Sequence, residues 1–189
     1  MSKIQGLKLS EKEVSQTIDL NKLFETNLAG NSGLVQAIGQ EIIDKIIKRT
    51  EDGLDNRNRP LAKYDKNSEY VKSDEFKAFG KSVNKPNMTL TGQMLGTLDI
   101  IEARGGKIKI GWDDETENAK AYNHMVGDTV TKRPFFGILE SDLKEIKEEY
   151  EDRVKQESRG LQEEKDRVRA TIIERLSNFN QFLIGRAGD

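Results

Sequence analysis

The feature that most limits what this chain can become is the placement of its prolines: Pro60, Pro86 and Pro134 fall in the middle, and none follows Pro134. Proline lacks a backbone donor and clashes with the preceding helical turn, so the segments on both sides of that stretch are free to be helical. After Pro134 a long helix is predicted. Leu139, Leu143, Ile146, Tyr150 and Val154 form a sparse apolar seam. Glu140 and Lys144, Glu149 and Arg153, Glu151 and Lys155, and Glu163 and Arg167 are acid-before-base pairs four residues apart, the orientation that supports a solvated helix. Gly160 marks a break or bend, costing about 1 kcal/mol relative to alanine if the helix runs through it. Beyond it the seam resumes at Val168, Ile172, Leu176, Phe179 and Leu183. A helix from Leu139 to Leu183 is roughly 65 Å long, wider than a domain of this size. Such an extension has to pack on something outside its own core.

With 189 residues, 34% hydrophobic and 34% charged, the chain suits one domain plus a wet extension, with burial concentrated in one part. Its 31 basic and 33 acidic residues leave a net charge of -2, which argues against a protein whose main affinity comes from neutralising nucleic-acid phosphates. The absence of cysteine excludes disulfides, thiolate metal sites and cysteine nucleophiles, and a single histidine excludes a multi-histidine metal site. No apolar run approaches membrane-spanning length and the N-terminus has no signal-type apolar core, so a soluble protein of a reducing cytoplasm is expected, with no membrane partner.

The expected fold class is α+β: a small antiparallel sheet with a β-hairpin packed on an amphipathic helix, plus a long C-terminal helical extension. Residues 1–33 are polar and end in a Gly/Asn break, so they read as a loosely attached, disordered arm with a short helix near 17–28. Leu34, Ile38, Ile42, Ile43, Ile46 and Ile47 recur at helical spacing, with Ser32 as N-cap and Gly53 as stop. The Asn/Asp/Lys-rich stretch that follows reads as a long loop held by Pro60, Leu61, Tyr64, Tyr70 and Phe79. Leu98–Ile101 and the alternating Lys107–Ile110 flank Arg104-Gly105-Gly106, which predicts a hairpin. A helix is predicted over 116–125, and a third strand or β-arm over 129–132. The domain plan is an arm at 1–33, a core domain at 34–150 and an extension at 151–189.

Few residues carry candidate chemistry. His124 is the one proton-transfer group near neutral pH, and its only close acidic company is Asp128, so a structural role is expected. Asp113, Asp114, Glu115 and Glu117 lack the calcium-loop pattern and read as a solvated turn. Lys81, Lys85, Arg104, Lys107 and Lys109 make a modest basic face, with Lys107 and Lys109 on one side of a strand as possible DNA-facing residues. No aromatics interleave with them for base stacking. In Arg133-Pro134-Phe135-Phe136-Gly137, two adjacent aromatics sit beside a proline. One is expected to anchor the helix to the sheet and the other to face a neighbouring subunit.

In order along the chain, Arg59-Pro60-Leu61, then Leu90, Thr91, Gly92 and Leu95, then Ala121, Tyr122, His124 and Gly127, then Arg133 to Ile138 resemble the phage virion-morphogenesis (tail-completion) family. The likeness spans roughly residues 34 to 150. Two departures stand out: Leu61 replaces the usual aromatic after the loop proline, and Met125-Val126-Gly127 replaces Gln-Phe-Gly. The resemblance implies a structural virion protein of the head–tail junction, made in the bacterial host cytoplasm, with no enzymatic activity, no cofactor and no metal. It implies a homo-oligomeric ring between the portal or connector and the tail-tube or tail-terminator proteins. Arg133 to Phe136, His124, Tyr122, Thr91 and Gly92 would then be interface or structural residues, and 129–132 would add an edge strand to a neighbour. Two alternatives remain: a tail terminator capping the tail tube, and a DNA-binding connector or regulator that touches packaged DNA non-specifically.

Overall fold

The computed structural model describes residues 4–88 and 92–186, and of 177–186 the helix alone. The chain divides into two units, 1–150 and 151–189.

In the first unit, strands β1 (Leu7–Ser10), β2 (Glu13–Asp19), β3 (Asp99–Arg104) and β4 (Lys107–Gly111) form one antiparallel sheet in the order β1-β2-β4-β3. The expected β3–β4 hairpin is present. Gly105 and Gly106 have φ of 61 and 75, the two left-handed positions that a tight hairpin turn needs. A side chain at Gly106 would also strike the Asn21 amide, 2.1 Å from its Oδ1. Alternation divides the sheet into two faces. Ile18, Ile108 and Ile110 are buried on one; Asp19, Lys107 and Lys109 stand on the other.

The 1–33 arm is not an arm. Its residues supply β1, central strand β2 and the one-turn helix α1 (Leu20–Phe24) in place of the longer helix expected over 17–28. Val14 and Leu20 are fully buried. The strand escapes a hydrophobicity pattern because the inward position between Val14 and Ile18 is Gln16, itself only 2% exposed. Its side chain is satisfied on both sides: Nε2 donates to the Gln5 carbonyl at 2.8 Å, and Oε1 accepts from Ile138 N at 2.8 Å.

Helix α2 (Ser32–Glu51) covers the apolar face of the sheet with the predicted stripe, of which Ile38, Ile42 and Ile46 are fully buried. Its N-cap is Asn31, whose side chain accepts from Leu34 N, rather than Ser32. Gly39 is unfavourable in a helix interior by about 1 kcal/mol. A methyl there would lie 2.3 Å from Ile100 Cδ1, so the glycine lets helix and sheet close.

The 52–86 stretch holds two short helices, α3 (Glu69–Lys72) and α4 (Asp74–Ala78), capped by Ser68 and Ser73. Its aromatic anchor is Phe76, packed edge-on against Tyr64 and Tyr70, whereas Phe79 is 58% exposed. Helix α5 (Gln93–Gly96) precedes β3, and α6 (Glu115–Val126) follows β4 where a helix is expected. The predicted strand at 129–132 is absent: those residues pair with no sheet edge, and Val130 is 40% exposed. Residues 132–139 form an irregular strap, and only then does α7 (Glu140–Arg186) begin, running through Gly160 without interruption.

In the second unit, Arg153 pairs with Glu157 and Lys155 with Glu151, both four residues apart. Val168, Ile172, Ile173 and Leu176 are all more than half exposed there. The side chains of Phe179 and Leu183 lie outside the described residues.

Candidate functional site

Several of the residues singled out by sequence, Arg133 to Phe136, His124 and Tyr122 among them, lie around one corner, where α6 hands the chain to the strap. Asp114 caps α6 by accepting from Glu117 N at 2.8 Å. The helix ends at Gly127, with φ of 80. A Cβ there would stand 2.6 Å from Lys132 Cβ, because the chain doubles back on the helix. Arg133 N then donates to the His124 carbonyl at 2.7 Å and closes the loop.

Arg133 is only 4% exposed. Its guanidinium donates to the Ala62 carbonyl at 2.7 Å and the Lys63 carbonyl at 3.1 Å, and it lies 4.5 Å from the centre of the Tyr64 ring. It therefore fastens the strap to the loop after α2. Pro134 and its neighbours make no sheet, so their carbonyls need other donors. Asn56 supplies two: its backbone N–H to the Pro134 carbonyl and its side-chain amide to the Phe136 carbonyl, both at 2.8 Å. Arg49 Nη2 supplies two more, to Phe135 at 2.9 Å and Gly137 at 2.6 Å, while its Nη1 lies 3.6 Å from Asp142 of α7.

Both phenylalanines are fully buried, flanking Trp112 with ring centroids 6.0 and 5.0 Å away. Neither faces a neighbouring subunit. Phe135 N donates to the Arg133 carbonyl at 2.8 Å, a three-residue turn at Pro134, and beyond it both rings enter the core against the one large indole. Arg59 in the preceding loop holds Asp55 through Nε at 2.9 Å and Nη2 at 2.7 Å. The Asp55 carboxyl stays below its ordinary range although burial, the largest effect, opposes this; the hydrogen bonds from Arg59 and Arg57 together outweigh it.

His124 packs against this corner. Burial, reinforced by the Arg133 charge, lowers its pKa to about 4, while the Thr131 backbone carbonyl acts the other way. At neutral pH it is an uncharged imidazole whose Nδ1 is buried without a partner. Tyr122 is half-buried on α6. Gly92, with φ of 75, begins α5, and Thr91 lies outside the described residues.

Beside the corner is a cleft of about 610 Å³. Glu117, Lys120 and His124 of α6 line it, as do Tyr64 and Tyr70. Burial pushes the Tyr70 phenol up to about 12 and that of Tyr64 upward as well. Both stay protonated near neutral pH. Among the described residues no three histidine or acidic side chains gather as metal ligands.

The two strand lysines are not in this corner. Lys109 is paired with Glu13, and Lys107 lies 3.4 Å from Asp19. Lys109, together with Lys8, holds the Glu13 carboxyl at about 2. The supposed basic face is thus of mixed charge.

Sequence reasoning missed Arg49, Asn56 and Gln16, and it placed Glu117 in a solvated turn, whereas Glu117 lies in the first turn of α6 and is 2% exposed. For Arg49 and Glu117 a signal existed, since each is a charged residue on an otherwise buried helix face: Arg49 follows Ile42 and Ile46, and Glu117 precedes Ala121 and Met125. Compared with protein-family models, curated proteins and solved structures, the chain matches none of them.

Proposed function

We propose that this chain is a structural protein of a phage head–tail junction, a neck or tail-completion component that assembles into a ring. On this reading it catalyses no reaction. The observation that carries it is the exposed apolar face of the second unit, where Val168, Ile172, Ile173 and Leu176 are 52 to 59% exposed on one solvated helix. Helices draw most of their stability from packing an apolar face, so such a face favours a partner. A closed ring supplies one at every subunit through head-to-tail contacts.

The order of motifs along the first unit supports the same class, since the segments around Arg59, His124 and Arg133 that resemble tail-completion proteins meet at one braced corner. That corner serves as framework rather than interface, so assembly is assigned to the helix beyond it. Among the described residues no helix is long and apolar enough to cross a membrane.

The test is the mass of the purified chain by light scattering, alone and with portal or tail-tube rings, beside the double variant Ile172→Asp/Leu176→Asp. The full chain is expected to form a closed oligomer or join a ring, and the variant to stay monomeric with its first unit folded. A chain that stays monomeric and ignores both rings refutes the reading, and so does a variant that assembles like the parent.

A further inference from the structure

The cleft beside α6 is lined by a carboxylate that is only half satisfied. Glu117 is 2% exposed, and its Oε1 accepts from Lys120 Nζ at 2.7 Å. Its Oε2 is buried with no hydrogen-bond partner. A buried acceptor left unpaired is costly, and more so when it is ionised. His124 Nδ1, seven residues along the same helix and lining the same cleft, is likewise buried without a partner. Helical rise sets the two residues about 10 Å apart along one face.

The volume lies within the range of roughly 300–1,000 Å³ typical of ligand clefts. Arg133 stands at the His124 end, but its charge is engaged by the Ala62 and Lys63 carbonyls and the Tyr64 ring. At the Glu117 end the neighbouring cation is Lys120, whose side chain is 49% exposed. Met88 and Met94 also line the cleft, and methionine is the side chain that most readily reshapes to admit a guest.

We propose that this cleft binds an alkylammonium or guanidinium group, the group that ends a lysine or arginine side chain, with Glu117 Oε2 as its anion and His124 Nδ1 accepting an N–H from the same ligand. A charged donor is the best match to a buried carboxylate oxygen, because hydrogen bonds between ions are about twice as strong as neutral ones. The spacing suits a ligand with a cation at one end and an amide at the other, which a lysyl peptide has and a simple amine does not. This site is independent of the assembly reading.

The test uses the full chain, isotope-labelled, titrated with n-butylammonium, with a capped Gly-Lys-Gly peptide and with its norleucine counterpart. The readouts are the Glu117 amide and the His124 imidazole, which is unambiguous because the chain has one histidine. Saturable shifts are expected from the first two probes and none from norleucine. Glu117→Gln is expected to weaken binding by about tenfold or more, and Lys120→Gln to tighten it by freeing the second oxygen. Lys120→Gln carries the test if Glu117→Gln fails to fold. A lysyl peptide binding well above butylammonium assigns the site to a basic residue of a partner protein; equal binding assigns it to a free amine. Norleucine binding as well as lysine overturns the proposal, as does no saturable shift from any probe up to about 50 mM.

Discussion

Replacing Arg49 with methionine tests whether the corner is held by its buried guanidinium. Methionine keeps the length and the apolar stem, so packing is disturbed little. It removes the donors to the Phe135 and Gly137 carbonyls, at 2.9 and 2.6 Å, and the charge facing Asp142 at 3.6 Å. Each buried acceptor left without a donor costs about 1–3 kcal/mol, so the two carbonyls together cost roughly 2–6 kcal/mol. Against this, the variant no longer buries a guanidinium, and that relief offsets a few kcal/mol. The desolvation is real, since burial lowers the Arg49 pKa more than Asp142 and Asp55 raise it. Because Asp142 is also left without its buried cation, which adds to the cost, a net loss of about 2–4 kcal/mol is expected, lowering Tm by roughly 4–16 °C for a unit of this size. Arg49→Lys, which keeps a charge but not the fork, should fall between the two. The assay is thermal and urea unfolding followed by Trp112 fluorescence, because the indole touches both phenylalanines. If Arg49→Met melts within 1 °C of the parent, or if Lys is no better than Met, the guanidinium is not what braces the strap.

Two further outcomes follow from the same corner. Gly127→Ala is expected to destabilise by about 2 kcal/mol or more, because its φ of 80 and the Lys132 Cβ at 2.6 Å both oppose a side chain; thermal melts check it. His124 has its folded pKa lowered from 6.5 to about 4. Between these values the unfolded chain binds the extra proton, so the histidine's contribution is complete above pH 6.5 and declines as pH falls toward 4. The imidazole resonance should titrate near 4 in the native protein, and His124→Gln should flatten stability against pH in that window. A midpoint near 6.5 would remove the basis for both.

What was legible in the sequence was what obeys a period. The α2 stripe, the β3–β4 hairpin with its glycine pair, α6 and the long α7 follow spacing rules that survive without knowledge of tertiary partners. What was hidden had its pattern broken by a polar residue that finds its partner far away. Gln16 breaks the alternation of β2 and meets Ile138, which lies 122 positions distant. The strap was misjudged for a related reason. Its backbone is satisfied by Arg49 and Asn56, 78 to 88 positions away, so nothing local reveals that 132–139 is ordered without being a strand. Phe76 was passed over for Phe79 because both lie near α4, and only the fold decides which ring meets Tyr64 and Tyr70.

The residues behind the family resemblance turn out to be mostly framework, which bears on where function should be sought. Arg133 clasps two carbonyls and an aromatic ring, Phe135 and Phe136 pack against an indole, Gly127 permits a reversal, and Arg59 organises an aspartate turn. Residues with such duties are constrained by packing whatever the protein does, so a pattern built from them speaks to architecture before activity. The parts free of those duties are the exposed apolar face of the second unit and the Glu117 side of the cleft. On the assembly reading proposed above, partners would need something other than the scaffold to hold. Substitutions on those two surfaces should therefore alter association or ligand binding while the first unit still folds, whereas substitutions in the motif should act through stability.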